Sequence, residues 1–76
     1  MNLYQFKLLK EEEQYNTTWE MGKLIDARIT HEHKFLLYLI DGFYVEIKYN
    51  TEANRIEGLK SFGSGSTVLF DYQNLN

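Results

Sequence analysis

Seventy-six residues make a single small domain, expected to span 1–76, and a chain this short buries only a little over ~60% of its unfolded surface. With no cysteine and only two histidines, neither a disulfide nor a closed metal site can staple it, so a dense core or association must supply its stability. The net charge of −3, with Lys and Arg scattered singly from Lys7 to Lys60, excludes the basic patch that nucleic acid or an anionic membrane requires.

Residues 3–9 hold Leu3, Tyr4, Phe6, Leu8 and Leu9, a pattern that fits either an extended lead-in or an extra turn of helix. The spacing then predicts a helix over 10–21, where Glu11, Glu12 and Glu13 complement the dipole in the first turn and Gly22 stops the helix as its C′ residue. Thr17 and Thr18 lower the propensity without forbidding it. Tyr15 and Trp19 lie four apart, so this helix can present one aromatic stripe to a sheet. From Lys23 to Thr30 the pattern alternates, with Ile25, Ala27 and Ile29 on one face and Leu24, Asp26, Arg28 and Thr30 on the other, which predicts a first strand. His31-Glu32-His33 connects it to a second strand beginning at Lys34.

The strongest local signal is Asp41-Gly42 between two strand-like runs. This pair accepts the positive φ that a type I′ turn needs at both central positions, and a two-residue loop fixes the register. Ile40 is expected opposite Phe43, Leu39 opposite Tyr44, Tyr38 opposite Val45, Leu37 opposite Glu46, and Leu36 opposite Ile47. One face of the hairpin then carries Leu36, Tyr38, Ile40, Phe43, Val45 and Ile47, with Tyr49 at its end. It must be a core face, because leaving those side chains wet would forfeit roughly 1.5–3 kcal/mol each. The other face carries Phe35, Leu37, Leu39 and Tyr44 before it turns polar at Glu46 and Lys48. It is too apolar for the water side of an antiparallel sheet, so a helix of the same chain or a partner should cover it.

Asn50 to Asn54 has turn chemistry, and Arg55 to Phe62 returns as a fourth strand. Gly58 inside it marks a bulge that brings Ile56 and Leu59 to the same face. Gly63-Ser64-Gly65-Ser66 is a joint, with Ser64 or Ser66 as an N-cap. Val68, Leu69, Tyr72 and Leu75 fall at helical spacing, so 66–75 reads as a short helix, with a fifth strand as the competing reading. The fold class is α+β: a four-stranded antiparallel meander with an N-terminal and a short C-terminal helix.

At Trp19-Glu20-Met21-Gly22, and again from Leu36 through Ile40-Asp41-Gly42-Phe43-Tyr44-Val45-Glu46 to Tyr49, the chain resembles a group of short uncharacterised bacterial proteins. The resemblance spans most of the chain and implies a small single domain. That group carries no assigned activity, so the resemblance transfers no catalytic or binding residue.

The residue pattern offers little to catalysis. His31 and His33 share one side of an extended chain, but two ligands do not complete a zinc site, and ordinary loop roles are the simpler reading. Gly63 to Thr67 lacks the lysine and the spacing of a phosphate loop. Glu11 to Glu13 reads as a solvated first turn, and Asp41 is held by its turn. Neither histidine is placed by spacing as a base for Ser61, Ser64 or Ser66. No catalytic residue, metal or cofactor is assigned, and the protein is expected not to be an enzyme. With no window near the ~20 apolar residues of a membrane span, a cytoplasmic location is the default expectation. The leading expectation is a protein–protein interaction module, homodimeric or bound to another protein, with Phe35, Leu37, Leu39 and Tyr44 as the contact face. The alternative is a small-molecule module with a pocket between sheet and helices lined by Tyr15, Trp19 and Tyr38.

Overall fold

The computed structural model describes residues 1–72, and their order is two helices, four strands and a final 3-10 helix. Helix α1 spans Leu3–Lys7 and α2 spans Glu11–Met21. Strands β1 (Lys23–Ile29), β2 (His33–Ile40), β3 (Phe43–Asn50) and β4 (Arg55–Phe62) form one antiparallel sheet in sequence order. The α+β class and the meander are as expected. The C-terminal element is not an α-helix but a 3-10 helix over Thr67–Asp71, and the expected position of Leu75 lies outside the described residues.

The segment left open at 3–9 is helical because its first turn is capped on both sides. Asn2 Oδ1 accepts the Gln5 amide at 2.8 Å, and Gln5 Oε1 accepts the Asn2 amide at 2.8 Å. So short a helix cannot persist on propensity alone, and α1 is held by burying Phe6 against Ile40, Phe43, Val45 and Ile47. Gln14 of α2 donates to the Phe6 carbonyl at 3.1 Å and joins the two helices. Helix α2 does end at Gly22, but the glycine is extended (φ −76°, ψ 142°) rather than left-handed. It is needed for space: a Cβ there would sit 2.5 Å from the Thr18 carbonyl oxygen and 3.1 Å from the Tyr38 ring.

Asp41 and Gly42 have φ of 43° and 90°, and β2 pairs with β3 in the register expected from the turn, from Ile40 opposite Phe43 to Leu36 opposite Ile47. The bulge near Gly58 is present too, since Leu59 lies opposite Ile47 and Ile56 opposite Tyr49, both on the core face. The alternation read for β1 is corrected. The register shifts between Leu24 and Asp26, so Ile25 is an unpaired extra residue, and Leu24, Ala27 and Ile29 share the core face with Tyr38, Leu36 and Lys34. Ile25 instead packs with Leu37 on the opposite face.

Each side of the sheet thus carries a cover from the same chain, complete over neither. Helices α1 and α2 cover one face, where Phe6, Ile40, Phe43, Val45 and Ile47 form the main core. The C-terminal segment lies as a strap on the other face, where Leu37, Phe62 and Tyr72 are buried with Val68 and Leu69 packed around them. Among the described residues, no helix is long and apolar enough to cross a membrane.

Candidate functional site

The pairing registers lay out the strap-bearing face as a grid. Directly opposed residues point to the same side, so Arg28, Phe35, Lys48 and Gly58 form one row across the sheet, and Asp26, Leu37, Glu46 and Lys60 form the next. A third row runs Lys23, Leu39, Tyr44 and Phe62, and His33, Asn50 and Arg55 lie beyond the first. Of the four residues expected to make a contact face, Leu37 is fully buried, so it belongs to the interior. Phe35, Leu39 and Tyr44 are half-buried, and Tyr44 stacks on Phe62 with ring centroids 6.0 Å apart. The cover this face requires comes from the chain itself.

At its centre lies a charged cluster that the sequence reading missed. Glu46 is only 5% exposed, and the Tyr72 hydroxyl donates to its Oε2 at 2.5 Å. Arg28 Nη2 stands 3.9 Å from the same oxygen, and its guanidinium lies 4.2 Å above the centre of the Phe35 ring and 5.6 Å from that of Tyr72. A carboxylate this deep is tolerated only with such partners, because an unpaired buried charge costs several kcal/mol. Burial, and then the hydrogen bond and charge of Glu46, push the Tyr72 hydroxyl well above the usual tyrosine range, with Arg28 opposing. Tyr72 therefore remains a donor at neutral pH. The available signal was the register itself, which put Glu46 directly opposite the apolar Leu37.

Beside this cluster is a groove of about 280 Å³ lined by Phe35, Glu46, Lys48, Gly58, Leu59 and Lys60. Further along the same face, Glu57, displaced by the bulge, accepts from Asn50 Nδ2 at 3.0 Å and lies 2.9 Å from His33 Nε2. His33 therefore meets a carboxylate, while His31 is exposed in the preceding loop, and among the described residues no three His, Asp or Glu gather as a ligand set. Asn50 first, then His33 and the charge of Lys48, hold the Glu57 carboxyl below its usual range of about 4.5. A depressed folded value means that Glu57 favours folding above the unfolded value and that this contribution is lost as pH falls through the folded one. Thermal unfolding followed from pH 7 to pH 3 (about the range in which carboxylates titrate) should therefore show a steeper acid loss in the native chain than in Glu57→Gln. Parallel curves would contradict the pairing.

On the helix-bearing face the three aromatic residues expected to line a pocket do come together. Tyr15 and Trp19 have ring centroids 6.3 Å apart, and Trp19 meets Tyr38 edge-on at 5.8 Å. A second groove, also about 280 Å³, is lined by Glu11, Tyr15, Trp19, Ile56, Glu57 and Gly58; Tyr38 supports Trp19 from outside it. Burial and the nearby Glu11 charge raise the Tyr15 hydroxyl above its ordinary value. The same face leaves large apolar side chains open: Trp19 is 46% exposed, Leu24 52% and Ile29 73%, with Met21 and Ile56 also exposed. Leu24 stands beside Tyr38, and Ile29 and Ile56 end one continuous row through Lys34 and Tyr49.

The remaining sequence motifs have local roles. Ser66, not Ser64, accepts the Val68 amide at 3.2 Å and caps the 3-10 helix, and Glu13 accepts the Lys10 amide at 3.3 Å at the start of α2. No family model, no curated protein and no solved structure matches this chain.

Proposed function

We propose that the protein is a non-enzymatic interaction module that pairs with a second copy of itself through its helix-bearing face. The observation that carries this reading is the exposure of Trp19, Leu24, Ile29 and Ile56 on one side of a sheet whose other side is strapped down. Exposed apolar clusters of this kind mark contact surfaces. The molecule measures 33 × 30 × 18 Å, so either broad face matches the ~800 Å² that each partner buries in a stable dimer. An apolar patch is complementary to itself, which suits an isologous twofold contact. This moves the contact from Phe35, Leu37, Leu39 and Tyr44 to the opposite face. Light scattering after size exclusion should give a dimer that dissociates on dilution, and Ile29→Asp should give a monomer with an unchanged far-UV spectrum. A native chain that stays monomeric up to about 1 mM, the scale of the weakest specific affinities, would refute self-association.

The groove between Tyr15 and Trp19 favours a second reading, a site for a small aromatic or apolar molecule. Trp19 fluorescence reports on it directly. Saturable quenching in a metabolite screen supports this reading, and an unchanged emission across the screen removes it.

A further inference from the structure

We propose that the groove beside Glu46 is a binding site for a small zwitterion, a molecule that carries an ammonium and a carboxylate group a few bonds apart. Both described partners of the Glu46 carboxylate, Tyr72 and Arg28, engage Oε2. Oε1 has no described donor, and Glu46 lines the groove. Among the described residues the buried side-chain polar atom without a partner is Arg28 Nε rather than Glu46 Oε1, so Oε1 opens on the groove, where an ammonium N–H from a ligand would give it a charge-assisted donor.

The rim has the opposite charge. Lys60 stands directly across from Glu46 in the β3–β4 pairing and Lys48 across from Gly58, and both lysines line the groove. Neither ammonium is in an ion pair with any described residue. A simple cation would meet Glu46 at the cost of facing Lys48, Lys60 and the Arg28 guanidinium, and a simple anion would meet the lysines while facing Glu46, whose charge Arg28 offsets only in part from 3.9 Å. A zwitterion satisfies both.

Gly58 is an independent sign that the space is kept open. It has no positive φ, and a Cβ built on it meets no atom within 4 Å, so neither the backbone nor crowding requires glycine there. Glycine is a poor strand residue, yet this one occupies the grid position between Lys48 and Lys60 where any side chain would extend over the groove.

Amide NMR titrations with glycine, β-alanine and γ-aminobutyrate, which differ in charge separation, test this against methylamine and acetate as singly charged controls. The expected result is a saturable shift at the amides of Glu46, Lys48, Gly58 and Lys60 for at least one of the three zwitterions. Its dissociation constant should be below about 10 mM and about tenfold or more tighter than that of either control. Gly58→Leu, which fills the groove without meeting a neighbour, should abolish the shift while leaving the other sheet amides in place, and Lys60→Ala should weaken it. No saturable shift from any zwitterion, equal binding of acetate or methylamine, or undiminished binding to Gly58→Leu would each overturn the assignment.

Discussion

Tyr72→Ala should destabilise the protein by about 3–5 kcal/mol, the usual range for removing a fully buried aromatic side chain. The substitution does three things together. It empties the space against Leu37 and Phe62, removes the hydroxyl that donates to Glu46 at 2.5 Å, and takes away one of the two rings beside Arg28. Total stability for a chain of this length is about 4–11 kcal/mol, so the loss is a large share of the whole. Tyr72→Phe separates the contributions. It keeps the ring and should cost about 1–3 kcal/mol, the penalty for leaving a buried acceptor without its donor. Urea denaturation checks both variants. A loss under about 1 kcal/mol for Tyr72→Ala, the level of an ordinary surface change, would mean that the strap does not hold the face.

Phe6→Ala should have a comparable effect on the opposite side of the sheet, again about 3–5 kcal/mol. Phe6 is the only buried residue of α1, and its ring centroid lies 5.4 Å from that of Phe43, so without it the helix loses its anchor on Ile40, Val45 and Ile47. A five-residue helix has almost no stability of its own. Circular dichroism should therefore show a small loss of helix beyond the fall in denaturation midpoint, and amide exchange at Leu3 to Lys7 should approach that of a free peptide. Retained protection at those amides would show that capping by Asn2 and Gln5 is enough without the ring.

These two sites mark the limits of what local sequence reveals. The hairpin register was legible because Asp41-Gly42 demands one turn type and the turn then dictates every pair from Ile40–Phe43 outward. The β4 bulge was legible because Gly58 interrupts an apolar pattern that only an extra residue reconciles. The bulge at Ile25 has no such mark. Leu24 to Thr30 contains no glycine or proline, and its alternation reads without a break, whereas in the fold Ile25 turns over and packs against the cluster of Leu37, Phe62 and Tyr72. The requirement that the second hairpin face be covered was also legible, but the identity of the cover was not. Thr67 to Phe70 suits a strand as well as a helix, and the Tyr72 contact with Glu46 spans 26 residues with no local signal. The same long-range contact partners the buried carboxylate, which is why the cluster was missed while its individual residues were in view.

The aromatic trio was easier to read, since Tyr15 and Trp19 lie one helical turn apart and Tyr38 faces the helix in the expected register. The exposed apolar patch of Leu24, Ile29 and Ile56 was not, because it depends on both bulges. One brings Leu24 onto the face of Ala27 and Ile29, and the other brings Ile56 onto the face of Leu59. The surface proposed for pairing is therefore a product of two register shifts, only one of which carries a glycine.

The most direct measurement is a pair of NOE experiments on the Tyr72 ring, one on a uniformly labelled sample and one on a mixture of labelled and unlabelled chains filtered for contacts between molecules. With the strap closing its own sheet, Tyr72 ring protons should show NOEs to the Leu37 methyl groups in the first sample and none in the second. Absence of those contacts, or their appearance only between chains, would show that the second apolar face is not covered from within.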